Sequence, residues 1–148
     1  FVLSNSMSVR EQGCKGFFIM AEGSHIDWEG HDNDFKGLYV EIEEFENAVT
    51  SALAFAMNRQ DTLVIVTADH ETGGLLIEKD TLRYKETNQM KVSWNTAVGK
   101  GDHTGSMVPI FAYGPGSENF SGILDNTDIF FAMQEAMGIN DLPDGTCY

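Results

Sequence analysis

Leu63-Val64-Ile65-Val66-Thr67 constrains this chain more than any other stretch. It is β-branched and apolar, with no alternation to give it a wet face, so it predicts a strand covered on both sides. What precedes it predicts how. From Leu38 to Met57, the residues Ile42, Phe45, Val49, Leu53 and Ala56 recur at helical spacing. Glu41, Glu43, Glu44 and Glu46 enrich the first turns, where the helix dipole favours anions. Asn58 to Thr62 closes that helix, and upstream of it Gly16 to Ala21 reads as a short buried strand. Strand, long helix and buried strand predict a βαβ unit, hence a parallel sheet with a right-handed crossover.

Further along, Gly73 to Ile77 and Lys91 to Trp94 read as shorter, peripheral strands of a small β-rich insertion over about residues 74–98. Val108 to Tyr113 is another buried strand, ended by Gly114-Pro115-Gly116. A last helix is expected from Thr127 to Met137, capped by Asn126 or Thr127 and stopped by Gly138. The fold class is therefore α/β: a partial parallel sheet flanked by helices. At 148 residues the chain is about one domain long. No apolar run approaches the roughly 18 residues of a membrane span, and no signal peptide is visible. The first residue is Phe1, which reads as a processed chain or a piece of a longer one.

The charge balance narrows the partners. With 23 acidic against 9 basic residues, the net charge of −14 repels nucleic acid and anionic membranes. It also repels phosphates, unless bound cations invert the local field. Cys14 and Cys147 lie near opposite ends without a CxxC pattern, and read as free thiols.

In open parallel sheets, ligands bind beyond the carboxyl ends of the strands. Glu22, Asp27 and His31 follow the first expected strand, and Asp69-His70 in "VTADHETGG" ends the second. Asp102-His103 in "GDHTGS" lies just before the strand at 108–113. Neutral imidazole with carboxylate is the ligand set of a zinc site that keeps positions open for water or substrate. Asp27 and His31 have the i,i+4 spacing that places two side chains on one face of a helical turn. An isolated Asp-His pair is most often a surface feature, but three clusters at one expected sheet edge weigh more. His25 lacks the pattern, and Trp28 reads as packing or as a wall of a ligand site. Asp32-x-Asp34-x-Lys36-Gly37 superficially matches a calcium loop, but lysine is wrong at the fifth ligand position. There is no Gly-x-Ser-x-Gly elbow, Walker A loop or dinucleotide fingerprint, and Ser24 and Ser106 have no activating context. Arg10, Arg59 and Arg83 stand outside any anion-clamping motif.

The segments "GFFIMAEGSHIDWEGH", "TLVIVTADHETGG" and "HTGSMVPIFAYGPG", in that order, resemble the C-terminal half of the alkaline phosphatase catalytic domain. The resemblance runs from about Gly16 to Gly138, with 74–98 uninformative. It implies that Asp27, His31 and His103 hold a first zinc, that Asp69 and His70 supply part of a second, and that Glu22 supplies part of a magnesium site. It also implies that Trp28 occupies a position near the metals that tunes them. In the family, a serine activated by the second zinc attacks phosphate monoesters to give a phosphoserine, in two-metal phosphoryl transfer. The serine, the bridging aspartate, the other magnesium ligand and the phosphate-binding arginine belong to the family's N-terminal half and have no counterpart here. The chain is accordingly expected to be a C-terminal fragment, inactive alone and prone to self-association or homodimerisation. The family resemblance implies a periplasmic or extracellular location. Two other readings stay open: a non-catalytic metal-binding or structural module, and a fragment of a phosphomutase or sulfatase of the same superfamily.

Overall fold

A computed structural model describes residues 17–79, 90–97 and 101–138. Helix α1 spans His25–His31 and helix α2 Phe35–Met57. The strands are β1 (Val64–Thr67), β2 (Glu71–Thr72), β3 (Leu75–Lys79), β4 (Met90–Trp94), β5 (His103–Thr104) and β6 (Ile110–Tyr113). A 3-10 turn at Ser117–Phe120 and helix α3 at Asp128–Met137 complete the order. The described residues divide into two compact units that interleave in sequence. One takes 23–46 and 68–109; the other takes the remaining described residues, up to 22, 47–67 and from 110 onward.

In the first unit, Asp34 starts α2. Its Oδ1 accepts the backbone N–H groups of Lys36 and Gly37, two donors that the helix cannot satisfy internally. The helix therefore begins at Phe35, a turn earlier than its apolar spacing predicts, with Asp34 as its cap. Asn33 makes the corner between the helices with a positive φ of 53°. Its side chain donates to the Thr96 carbonyl at 2.8 Å and accepts from the Thr96 hydroxyl at 3.2 Å. β3 and β4 form an antiparallel pair, Leu75 opposite Trp94 through Lys79 opposite Met90, within the stretch expected to be β-rich. β2 and β5 pair antiparallel, Thr72 opposite His103.

In the second unit, β1 pairs antiparallel with β6, Val64 opposite Tyr113 through Thr67 opposite Ile110. Gly114 ends β6 at φ 111°, a conformation that disfavours a side chain; a Cβ there would also meet the Thr62 carbonyl. Gly116 lies against Ala136 of α3, and Phe120 and Ala132 are buried beside this turn. α3 lies where expected and Gly138 follows it in the left-handed region, but Thr127 before it makes no side-chain cap hydrogen bond, which corrects the expected capping. Asp125 orders the turn ahead of the helix: its Oδ1 accepts from the Thr127 N–H and hydroxyl, and its own N–H donates to the Asp128 carboxylate. After α2, Arg59 grips Asp61 through two hydrogen bonds and lies 4.9 Å over the Phe55 ring.

The α/β class holds, but the expected parallel pairing is corrected. Residues 17–22 form no strand, and Phe18, Ile19 and Met20 are 64%, 37% and 78% exposed. Each described pair is antiparallel. An apolar run becomes a strand only where a neighbour completes its ladder, and periodicity does not show that neighbour. The Cys14, Cys147, Arg10 and Arg83 readings lie outside the described residues.

Replacing Asp34 by alanine leaves two donors of α2 without their acceptor. We expect a loss of about 1 kcal/mol of unfolding free energy, with Asp34→Asn close to the original chain, measured by urea denaturation.

Candidate metal centre

Asp27, His31 and His103 come together in the first unit. One ligand atom from each lies within 4.8 Å of the others. The Nε2 atoms of His31 and His103 are 3.2 Å apart. His31 Nε2 is 3.4 Å from Asp27 Oδ2, and His103 Nε2 is 3.4 Å from Asp27 Oδ1. Nitrogen and oxygen ligands at about 2.0–2.1 Å from a tetrahedral zinc are separated by about 3.3–3.4 Å. Each imidazole thus faces a different oxygen of Asp27 at about that separation, and this nitrogen and oxygen donor set is one that can hold a zinc ion.

Local folding produces this arrangement. α1 puts Asp27 and His31 one turn apart on the same face, as their spacing predicts. His31 is then oriented by backbone. Its Nδ1–H donates to the Gly101 carbonyl at 2.6 Å, leaving the Nε2 lone pair facing the cluster. Gly101 returns its own N–H to the His31 carbonyl at 3.2 Å. A Cβ on Gly101 would strike the His31 backbone, so this exchange requires glycine. The β2–β5 register brings His103 in from the opposite side.

His70 packs over His103, ring centroids 3.5 Å apart and nearly parallel. Its Nε2 lies 3.4 Å from Asp69 Oδ2, so the two adjacent side chains do turn to one side after β1. Glu22 is exposed and falls in the other unit. Trp28, 60% exposed, stacks on His25 at 4.6 Å, and His25 pairs with Glu41 at 3.5 Å.

Sequence reasoning passed over two supports. The Thr72 hydroxyl donates to Asp27 Oδ1 at 2.5 Å and lies 3.3 Å from His70 Nδ1. Glu71 accepts from the N–H groups of Gly74 and Leu75 and from the Thr104 hydroxyl, bracing the segments that carry His70 and His103. The signal available for both was position alone, directly after Asp69-His70. Partial burial pushes the Asp27 carboxyl up. The Thr72 hydrogen bond and the charges of His31, His70 and His103 outweigh it and hold the group below its ordinary value.

Helix, strand ends and imidazole–carboxylate cluster define a class: an α/β protein with a candidate metal centre. The alkaline phosphatase family model matches residues 3–91 and 76–139. Alkaline phosphatase 4 of Bacillus subtilis (strain 168) is 36% identical over an alignment covering 79% of this chain and 38% of the relative. The alkaline phosphatase of Escherichia coli (strain K12) is 38% identical, covering 84% of this chain and 28% of the relative. Among solved structures, a histidine-to-aspartate mutant of the TAB5 alkaline phosphatase with Mg bound in its M3 site superposes with a TM-score of 0.77. It is 36% identical, covering 93% of this chain and 41% of that one. The chain belongs to the alkaline phosphatase family. It spans 28–38% of the length of the two curated relatives named.

The lowered Asp27 value makes the metal-free chain acid-sensitive in a defined direction. Its ionised carboxylate contributes stability fully above the ordinary carboxylate range, and that contribution is lost as pH falls through the depressed value. The stability difference between the chain and Asp27→Asn should therefore shrink on acidification, followed by denaturation in chelator from neutral pH downward. Gly101→Ala should cost about 1–3 kcal/mol through overpacking against His31, read in the same titration.

Proposed function

We propose that this chain is the metal-binding part of a phosphate-monoester hydrolase. The observation that carries the reading is the meeting of Asp27, His31 and His103 within 4.8 Å, with tautomer and spacing suited to zinc. In this reading these three residues hold a first zinc, Asp69 and His70 contribute to a second, and Glu22 contributes to a magnesium site. Trp28 is the candidate tuner of the centre, and it brings no charge.

When bound, the ions supply Lewis-acid stabilisation to a phosphoryl group in transfer and an electropositive spot on a chain of net charge −14. The chain's own residues orient and hold. Asp27 and His31 present two donors from one rigid helical turn, and His103 closes the set from β5. The phosphoserine route needs a serine nucleophile, and neither Ser24 nor Ser106 stands in an activating environment. These 148 residues by themselves should therefore turn over phosphate monoesters negligibly. The reading extends to a periplasmic or extracellular setting and to self-association or a homodimer. Among the described residues no helix is long and apolar enough to cross a membrane. Exposed Phe111, Ile123, Phe130 and Phe131 give the second unit an apolar surface suited to association, which light scattering reads directly.

The chain should bind about one zinc tightly, measured by metal analysis after dialysis. His103→Ala should abolish that binding, and acidification should release the ion as protons compete for the ligands. Zinc bound equally well by His103→Ala, or rapid zinc-dependent hydrolysis of an aryl phosphate by these residues alone, would count against the proposal.

A further inference from the structure

We infer that Thr72 is a positioning residue that sets ligands of both zinc sites at once. The inference rests on the metal-binding reading above and adds a residue to it.

A threonine hydroxyl has one proton and two lone pairs. The proton of Thr72 is spent on Asp27 Oδ1, at 2.5 Å. Toward His70 Nδ1, 3.3 Å away, the same oxygen can then only accept. His70 Nδ1 therefore carries the ring proton, a tautomer favoured also by the Asp27 carboxylate 4.0 Å from it. That leaves the lone pair on His70 Nε2, the atom beside Asp69. One hydroxyl thus holds Oδ1 of Asp27, keeps Oδ2 turned to His31, and selects the ligating nitrogen of His70.

The backbone of Thr72 adds a third constraint. It is the register partner of His103 in the β2–β5 pair, so moving Thr72 moves a ligand of the first site too. Buried Gly30 leaves room for this approach. A Cβ on it would lie 2.9 Å from Thr72 Cγ2, tight enough to push the hydroxyl away from α1. Side chains that hydrogen-bond ligands typically change metal affinity about 10–100-fold when removed.

The test compares the chain with Thr72→Val and Thr72→Ser. Valine keeps the β-branch and removes the hydroxyl; serine keeps the hydroxyl. Zinc affinity is read by competition with a chromophoric chelator, and the His70 tautomer by nitrogen-15 NMR of the metal-free chain. We expect zinc affinity to fall about 10–100-fold in Thr72→Val, with His70 losing its uniform Nδ1–H tautomer. Thr72→Ser should retain the tautomer and most of the affinity. Unchanged affinity and an unchanged tautomer in Thr72→Val overturn the inference, as does a serine variant that behaves like valine. If the chain binds no zinc, the metal-binding reading fails, and the tautomer comparison still decides the role of Thr72. If His103→Ala abolishes zinc binding but Thr72→Val alters neither affinity nor tautomer, the metal-binding reading stands and this one falls.

Discussion

The hydrogen bond from Thr72 to Asp27 joins a helix to a strand end, and the geometry around it depends on that joint. Asp27 sits on α1, one turn from His31, and Thr72 sits on β2, in register with His103. Fixing one hydroxyl against one carboxylate therefore brings two elements and three candidate ligands to the same point. A carboxylate 34% exposed among three imidazoles has little hydrophobic burial to hold it. Polar contacts hold the cluster instead: the Thr72 hydroxyl on Asp27, the Gly101 carbonyl on His31, and Glu71 on the Thr104 hydroxyl beside His103.

The acidic composition takes on a different meaning once the cluster is assembled. A chain of net charge −14 discourages anions everywhere. Several of its carboxylates are nevertheless committed to structure. Asp34 caps α2, Asp125 organises the start of α3, Asp61 anchors Arg59, and Glu71 accepts from two backbone amides and a hydroxyl. The stretch from Glu22 to Asp34 is thus neither a uniform acidic loop nor a uniform ligand run. Its members divide between candidate ligand, cap and corner.

What could be read from residues alone followed local rules. The i,i+4 pair on α1, the long helix ending at Met57 and the glycine stop of α3 all arise from neighbours in sequence. The direction of strand pairing was not legible. It depends on which segment lies beside Val64–Thr67, and that is β6, more than forty residues on. Thr72 was not legible either, because a hydroxyl acquires a role only through a partner 45 residues away. Family likeness did supply the ligand set as a hypothesis. The structure adds the physical reason that three of those residues meet and leaves Glu22 exposed in the other unit.

The exchange between His31 and Gly101 has a consequence for how such a site can vary. The acceptor that orients the ring is a main-chain carbonyl, and the reciprocal donor is a main-chain amide. No codon change at position 101 can delete that carbonyl. Substitution can only add bulk, and the space is already filled by the His31 backbone. The orientation of His31 is therefore inherited through the path of the chain rather than through a side chain. Drift at this corner is limited to what the loop can do without lengthening, shortening or gaining a single carbon.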